Sequence, residues 1–334
     1  MEKYKFGKNE VRVCGKVSET EDGLEFMNSG TFIEFCGKSG RLDMEISGSY
    51  TEECYPAYLG VFLNGNGTPE KIWKIEKGLH NYHICWAEEQ EETTVKIVKL
   101  TELQYGRIII STIRLDGVVK PAKARERKLM FIGDSLTAGY GVSGDNTDLI
   151  FTTATENVTK AYPYLAAQAL SADAWYVCWS GGGIISRWIS PQEELPLTDI
   201  LMPELFEKGK ELDFVPDLIA INLGTNDASY TRGKNIRETA FIEKYIEFVH
   251  RIAREYPDAQ ILLQYGLMEK TLLNAVHTVA DSCREKGIKC SFLSLPILNE
   301  TDGIGTGGHP SFLTHKKTAE IVRDKIAEIM DWKE

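Results

Sequence analysis

Nowhere in the 334 residues is there an apolar run long enough to cross a bilayer, and the opening Met1-Glu2-Lys3-Tyr4-Lys5-Phe6-Gly7 lacks the apolar core of a secretory leader. No membrane-spanning segment is expected, and a cytoplasmic protein is. Positive charge is also scarce. Lys and Arg total 38 against 49 Asp and Glu, a net −11, which argues against a nucleic-acid surface or an anionic membrane as partner. A neutral or cationic substrate fits better. Paired cysteine is missing as well: the seven cysteines are odd in number, and none sits in Cys-x-x-Cys. Most lie in apolar strand-like runs such as Phe32-Ile33-Glu34-Phe35-Cys36, which suggests reduced core thiols and neither a disulfide frame nor a zinc site. The histidines at 80, 83, 250, 277 and 315 show no metal-ligand spacing, so no metal and no cofactor is implied.

What is present divides the chain in two, as its length leads one to expect. From Val11 to about Gly117, short runs rich in β-branched and aromatic residues alternate with turn signals, among them Asn64-Gly65-Asn66-Gly67. Their even spacing predicts an antiparallel β-sandwich of jelly-roll type over residues 1–120. Lys120-Pro121-Ala122-Lys123-Ala124-Arg125-Glu126-Arg127 then interrupts the pattern, and a linker is placed at 121–128. Over residues 129–334 the rhythm is strand, helix, strand, helix. The strands are Leu129 to Ile132, Trp175 to Trp179, Leu218 to Leu223, Ile261 to Tyr265 and Lys289 to Leu293. Phe241, Tyr245, Val249, Ile252 and Tyr256 recur every three or four residues, the period of a helix packed on one face. The prediction is a doubly wound α/β domain with a mainly parallel sheet.

The chemistry-bearing residues cluster at the ends of these strands. Leu129 to Ile132, apolar on every side, reads as a strand buried on both faces, and it stops at Gly133-Asp134-Ser135. Alone, Ser135 is as readily a helix cap as a nucleophile. Three other segments change the balance: Ser180-Gly181-Gly182-Gly183 after the second strand, Gly224-Thr225-Asn226-Asp227 after the third, and Gly305-Thr306-Gly307-Gly308-His309-Pro310 before the last helix. A serine hydroxyl needs a base to take its proton, and an imidazole with a pKa near 6.5 suits that work. Glycines and an amide can supply the donors that steady a developing oxyanion.

Gly133-Asp134-Ser135, Gly181, Gly224-Thr225-Asn226-Asp227 and His309-Pro310 resemble, in order, the four blocks of the SGNH, or GDSL-type, hydrolase superfamily, across about residues 128–334. The all-β stretch before them, with Lys99-Leu100-Thr101-Glu102 followed by Gly106 and a strand, is similar to the amino-terminal jelly roll of carbohydrate esterase family 2. Members of that family remove acetyl groups from plant polysaccharides such as xylan and mannan. The resemblance implies a serine esterase whose partner is an acetylated oligosaccharide or polysaccharide. Ser135 would be its nucleophile and His309 its base. Its oxyanion donors would be the N–H groups of Ser135 and Gly181 and the side-chain amide of Asn226, with Gly182 as the alternative to Gly181.

Two positions depart from the pattern. Most superfamily members carry an aspartate two or three residues before the histidine, where this chain has Thr306 and Gly307. The expectation is a Ser–His dyad in which a backbone carbonyl accepts from His309 Nδ1–H; the alternative orienting group is Asp302. Some family members place a tryptophan immediately before the histidine, where this chain has Gly308. Sugar stacking is therefore expected from Trp188, with Tyr140 and Trp179 as further candidates. The competing readings are another hydrolase on the same scaffold, such as a peptidoglycan O-acetyl esterase or a lysophospholipase, and a non-catalytic carbohydrate-binding protein. The intact Ser135, Asn226 and His309 argue against the last.

Overall fold

Alternation in Arg41-Leu42-Asp43-Met44-Glu45-Ile46 puts Leu42, Met44 and Ile46 on one face of a strand, and all three are at most 1% exposed. The same device repeats through the amino-terminal half of the computed structural model, which describes residues 2–5, 11–37, 40–85, 92–115, 120–147, 150–190, 203, 206 and 214–333. Twelve strands result among the described residues: β1 (Glu2–Lys5), β2 (Arg12–Cys14), β3 (Val17–Thr20), β4 (Gly23–Phe26), β5 (Phe32–Gly37), β6 (Arg41–Tyr50), β7 (Tyr58–Leu63), β8 (Lys71–Lys74), β9 (Gly78–Cys85), β10 (Thr93–Lys99), β11 (Gly106–Leu115) and β12 (Lys120–Pro121). They form two six-stranded sheets. One runs β3-β4-β11-β6-β9 with β1 also on β11, and the other runs β12-β5-β10-β7-β8 with β2 also on β5. Every pairing in them is antiparallel. Phe26, Met44, Ile46 and Ile110 from the first sheet and Phe35, Val61, Val95 and Ile97 from the second share one apolar core.

The second half folds around five strands: β13 (Lys128–Gly133), β14 (Asp173–Cys178), β15 (Leu218–Asn222), β16 (Gln260–Leu267) and β17 (Cys290–Ile297). All pair in parallel, in the order β14-β13-β15-β16-β17. Leu129 to Ile132 are at most 1% exposed, which is why four consecutive positions could all be apolar. Six helices matter here: α1 (Ser135–Ala138), α2 (Tyr162–Ala169), α3 (Thr225–Thr231), α4 (Asn235–Glu255), α5 (Leu273–Glu285) and α6 (Phe312–Met330). Helix α4 buries Phe241, Tyr245, Phe248, Val249 and Ile252, the stripe that the sequence period predicts, with Phe248 in addition; Tyr256 caps its end. The order of strands reverses direction at β13, with β14 on one side and β15 on the other. A crevice opens beyond the carboxyl ends of the strands at such a reversal, and Ser135 and α3 begin there.

The chain divides into two compact units, Met1–Arg125 with Thr152–Glu156, and Glu126–Phe151 with Asn157–Glu334. The expected linker at 121–128 is trimmed from both ends. Lys120 and Pro121 pair with Cys36 and Phe35 as an edge strand, a position where a residue without an N–H is tolerated, and Lys128 already opens β13. Residues 152–156 group with the sandwich, where Thr153 Oγ1 donates to Pro56 O (2.7 Å) and Glu156 Oε1 accepts from Glu102 N–H (3.2 Å). Among the described cysteines none is in a disulfide. Cys14, Cys283 and Cys290 are buried thiols as expected, whereas Cys54 is exposed. No described helix is long and apolar enough to cross a membrane.

Candidate active site

Strand β13 ends where Gly133 lies against Thr137 and the carbonyl of Asn222, a gap that a Cβ would fill. The next residue, Asp134, caps α1: its Oδ1 accepts from Leu136 N–H at 3.0 Å. Ser135 is thus the first residue of a four-residue helix, with its own N–H left over at the helix start. The cap of this helix is therefore Asp134 and not Ser135, so the reading of Ser135 as a helix cap does not hold. Ser135 Oγ lies 2.9 Å from His309 Nε2.

His309 Nδ1 lies 3.3 Å from the carbonyl oxygen of Gly307. A carbonyl is only an acceptor, so Nδ1 carries the proton and Nε2 is left as a base facing Ser135. Asp302 does not serve the ring. Its carboxylate accepts from Lys317 Nζ at 2.6 and 2.8 Å. Thr306, in the position of the superfamily aspartate, is fully buried, with no hydrogen-bond partner for its hydroxyl among the described residues. Burial drives the His309 pKa down to about 4, with the Gly307 carbonyl pulling weakly the other way. The acid limit set by this base moves well below the ordinary imidazole range.

On the other side of the serine stands the glycine loop. Gly182 N–H is consumed by Trp179 O (3.0 Å), whereas the N–H groups of Gly181 and Ser135 have no partner among the described residues. That distinguishes the two glycines the resemblance left open and favours Gly181 as donor. Asn226, in the first turn of α3, is brought to the same place but is already engaged. Its Nδ2 donates to Asp134 Oδ2 (3.1 Å) and to Gly182 O (2.8 Å). Both neighbours are acceptors, so the amide cannot be turned round. Donation from Asn226 to a substrate oxyanion requires exchanging one of these bonds, and its resting work is to tie the Ser135 turn to the glycine loop.

Asp227, quoted with its motif but given no role by the sequence, does more. Its carboxylate accepts from three consecutive N–H groups, Ile184 (2.9 Å), Ile185 (2.8 Å) and Ser186 (3.1 Å), directly after the glycine run. It is fully buried, and burial raises its pKa to about 6 against the pull of those N–H groups. Gly183 has no room for a side chain because Asp227 and the Ser186 carbonyl occupy the space. The sequence signal that could have found this is an acid one residue beyond Asn226, together with the question of where the N–H groups after the glycine run find acceptors.

The aromatic candidates separate. Trp188 is 54% exposed, and its backbone N–H donates to Gly181 O at 2.8 Å, which ties its main chain to that of the candidate oxyanion donor. Trp179 is partly buried and packs on the hydrophobic core. Tyr140 does not offer a free ring. Phe151 stacks on it at 3.7 Å and 10°, and His309 lies 4.4 Å away at 37°. A ring stacked that closely fills one face, so the imidazole approaches from the other. Sequence reasoning missed Phe151 altogether. Among the described residues no cluster of three or more His, Cys, Asp or Glu could hold a metal.

Comparison with known proteins supplies the family. The model of the GDSL-like lipase/acylhydrolase family matches residues 131–303. The cellulase/esterase CelE of Acetivibrio thermocellus is 32% identical over 274 residues, covering 79% of this chain; the chain spans only 32% of that protein's length. An acetylxylan esterase / glucomannan deacetylase of Cellvibrio japonicus is 25% identical over 334 residues, covering 96% of this chain and 89% of the relative. Among solved structures, a family two carbohydrate esterase from Clostridium thermocellum in complex with cellohexaose superposes with a TM-score of 0.85 at 24% identity, over 97% of this chain and 100% of that one.

Proposed function

The chain belongs to the GDSL-like lipase/acylhydrolase family and has the SGNH hydrolase fold, and from that premise we propose that it is a carboxylic ester hydrolase that removes O-acetyl groups from plant-type polysaccharides or oligosaccharides of the xylan and mannan class. The observation that carries the mechanism is the 2.9 Å approach of His309 Nε2 to Ser135 Oγ with a backbone carbonyl, and no carboxylate, on Nδ1. His309 takes the serine proton as Oγ attacks the acetyl carbonyl carbon. The carbonyl oxygen becomes an oxyanion between the N–H groups of Ser135 and Gly181, with Asn226 as a third donor once it releases a present partner. Collapse of the tetrahedral intermediate breaks the bond to the sugar oxygen, which receives the proton from His309. Water, deprotonated by the same imidazole, then hydrolyses the acetyl-serine and acetate leaves.

The names of the relatives support the substrate class, and the exposed Trp188, its backbone bonded to Gly181, supports a sugar ring as leaving group. We read the two antiparallel sheets of the first unit as a jelly roll. The decisive experiment is acetate release from acetylated xylo-, manno- and muramyl-oligosaccharides by the wild type and Ser135→Ala. The variant should lose about 10⁴-fold or more in kcat. Retention of most activity would remove Ser135 as nucleophile, and preference for the muramyl substrate would replace plant polysaccharide with peptidoglycan.

A further inference from the structure

An imidazole that works as a base needs two kinds of support: a partner to fix its plane, and something to steady the positive charge it acquires. Here the partner on Nδ1 is a neutral carbonyl at 3.3 Å, long for a hydrogen bond. No carboxylate among the described residues is shown bonded to Nδ1, and Asp302 is held by Lys317. Among the described residues the aromatic ring in contact with the imidazole is Tyr140, 4.4 Å away and tilted by 37°, with Phe151, itself 8% exposed, stacked on Tyr140 at 3.7 Å.

We infer that Tyr140, backed by Phe151, is a positioning residue that does the work of the missing carboxylate. Its ring packs the imidazole so that Nε2 points at Ser135, and its π face stabilises the imidazolium formed while the serine proton is held. The inference rests on His309 serving as the base for Ser135. Other titratable groups near the ring do not provide that charge. His315 in α6 is buried and neutral, its pKa pushed down to about 3 by burial and by His309 itself. Asp134 accepts from Leu136 and Asn226 on the far side of the serine turn, and Asp302 is paired.

The test compares Tyr140→Phe and Tyr140→Leu in the full chain, using kcat, KM and the pH profile of acetate release from 4-nitrophenyl acetate and from an acetylated xylo-oligosaccharide. Tyr140→Phe keeps the π face and should stay within about twofold of wild type, whereas Tyr140→Leu should lose about tenfold in kcat with KM unchanged. Its acid limb should also move to lower pH, because the imidazolium is less stabilised. An unchanged kcat overturns the inference, as does an acid limb moving upward, the mark of water entering a gap. A rise in KM with kcat kept also overturns it and returns Tyr140 to sugar stacking. If Tyr140→Leu does not fold, Phe151→Leu decides, with a smaller loss in kcat expected and no loss overturning the inference. Labelling by a fluorophosphonate separates the two levels. A wild type unlabelled at Ser135 fails the proposed mechanism and this inference with it, whereas a labelled wild type beside a wild-type-like Tyr140→Leu fails the inference alone.

Discussion

The glycine loop and the imidazole of the histidine loop both face Ser135, but they are held by different forces. The first is fastened by ionic and amide acceptors and donors: Asp227 takes three consecutive N–H groups, and Asn226 bridges Asp134 and Gly182. The histidine loop has its backbone tied by Gly305 N–H to His309 O (2.8 Å) and Thr306 N–H to Gly141 O (3.1 Å), but its imidazole ring is held on the side away from Ser135 by one carbonyl at 3.3 Å and an aromatic stack. Hydrogen bonds to a buried carboxylate are directional and strong, which suits donors that must not move as charge develops. Packing and a neutral acceptor hold more loosely, which suits a ring that takes and returns a proton in each half-reaction. On the proposed mechanism, the element fastened by a carboxylate stands where the oxyanion would form, and the ring held by a carbonyl and packing stands where the proton would travel.

The largest test of this contrast is Asp227→Asn. The amide keeps one acceptor oxygen for Ile185 and Ser186 but turns an NH₂ toward the N–H of Ile184, so the loop must shift and carry Gly181 with it. Loss of one oxyanion donor typically costs 10²–10³ in rate, and a fall of about 10² in kcat with little change in KM is expected from steady-state kinetics. A variant within threefold of wild type would mean that the glycine loop holds its shape without the carboxylate.

A smaller effect should appear on acidification, where the two sides fail at different pH. Asp227 is raised from 3.8 to about 6, so it takes up a proton below pH 6 and can no longer accept all three N–H groups. His309 is lowered from 6.5 to about 4, so it stays a free base until pH nears 4. The profile of kcat/KM from pH 8 to 3.5 should therefore fall in two steps, a partial one near 6 and a complete one near 4. Asp227→Asn should show the lower step only. One fall at 6.5, the position an ordinary imidazole predicts, would contradict both assignments.

How much of this the sequence carried depends on whether the feature is local. Leu129 to Ile132 declared a doubly buried strand, and the Phe241 to Ile252 period declared the buried face of α4, because burial imposes the pattern on neighbouring residues. Ser135 and His309 were legible as residue types in an ordered set of motifs, although 174 positions separate them. What was not legible is tertiary. An acid in the first turn of a short helix reads as a favourable end charge, and nothing adjacent to Asp227 reveals that it faces Ile184 to Ser186. Tyr140 reads as an open aromatic until Phe151, eleven residues on, closes one face. Asn226 was legible as a member of the motif set, but the acceptors that occupy its amide, Asp134 and Gly182, come from two other loops.

The smallest expected effect is that of Asp302→Ala, and it tests whether the histidine side is free of charge. Asp302 pairs with a Lys317 side chain that is 56% exposed, and its backbone carbonyl accepts from Ser311 Oγ at 2.7 Å. Ser311 Oγ in turn accepts from Thr314 N–H and caps α6, so the acid steadies the entry to that helix just after His309. Exposed ion pairs contribute about 0–1 kcal/mol, and the backbone carbonyl survives the substitution; the expected loss is below about 1 kcal/mol in stability and about threefold in kcat. Chemical denaturation and steady-state kinetics on the same preparation check both figures. A thousandfold fall in kcat with stability unchanged would show that a carboxylate orients His309 after all, and the two sides of the site would then be held by the same force.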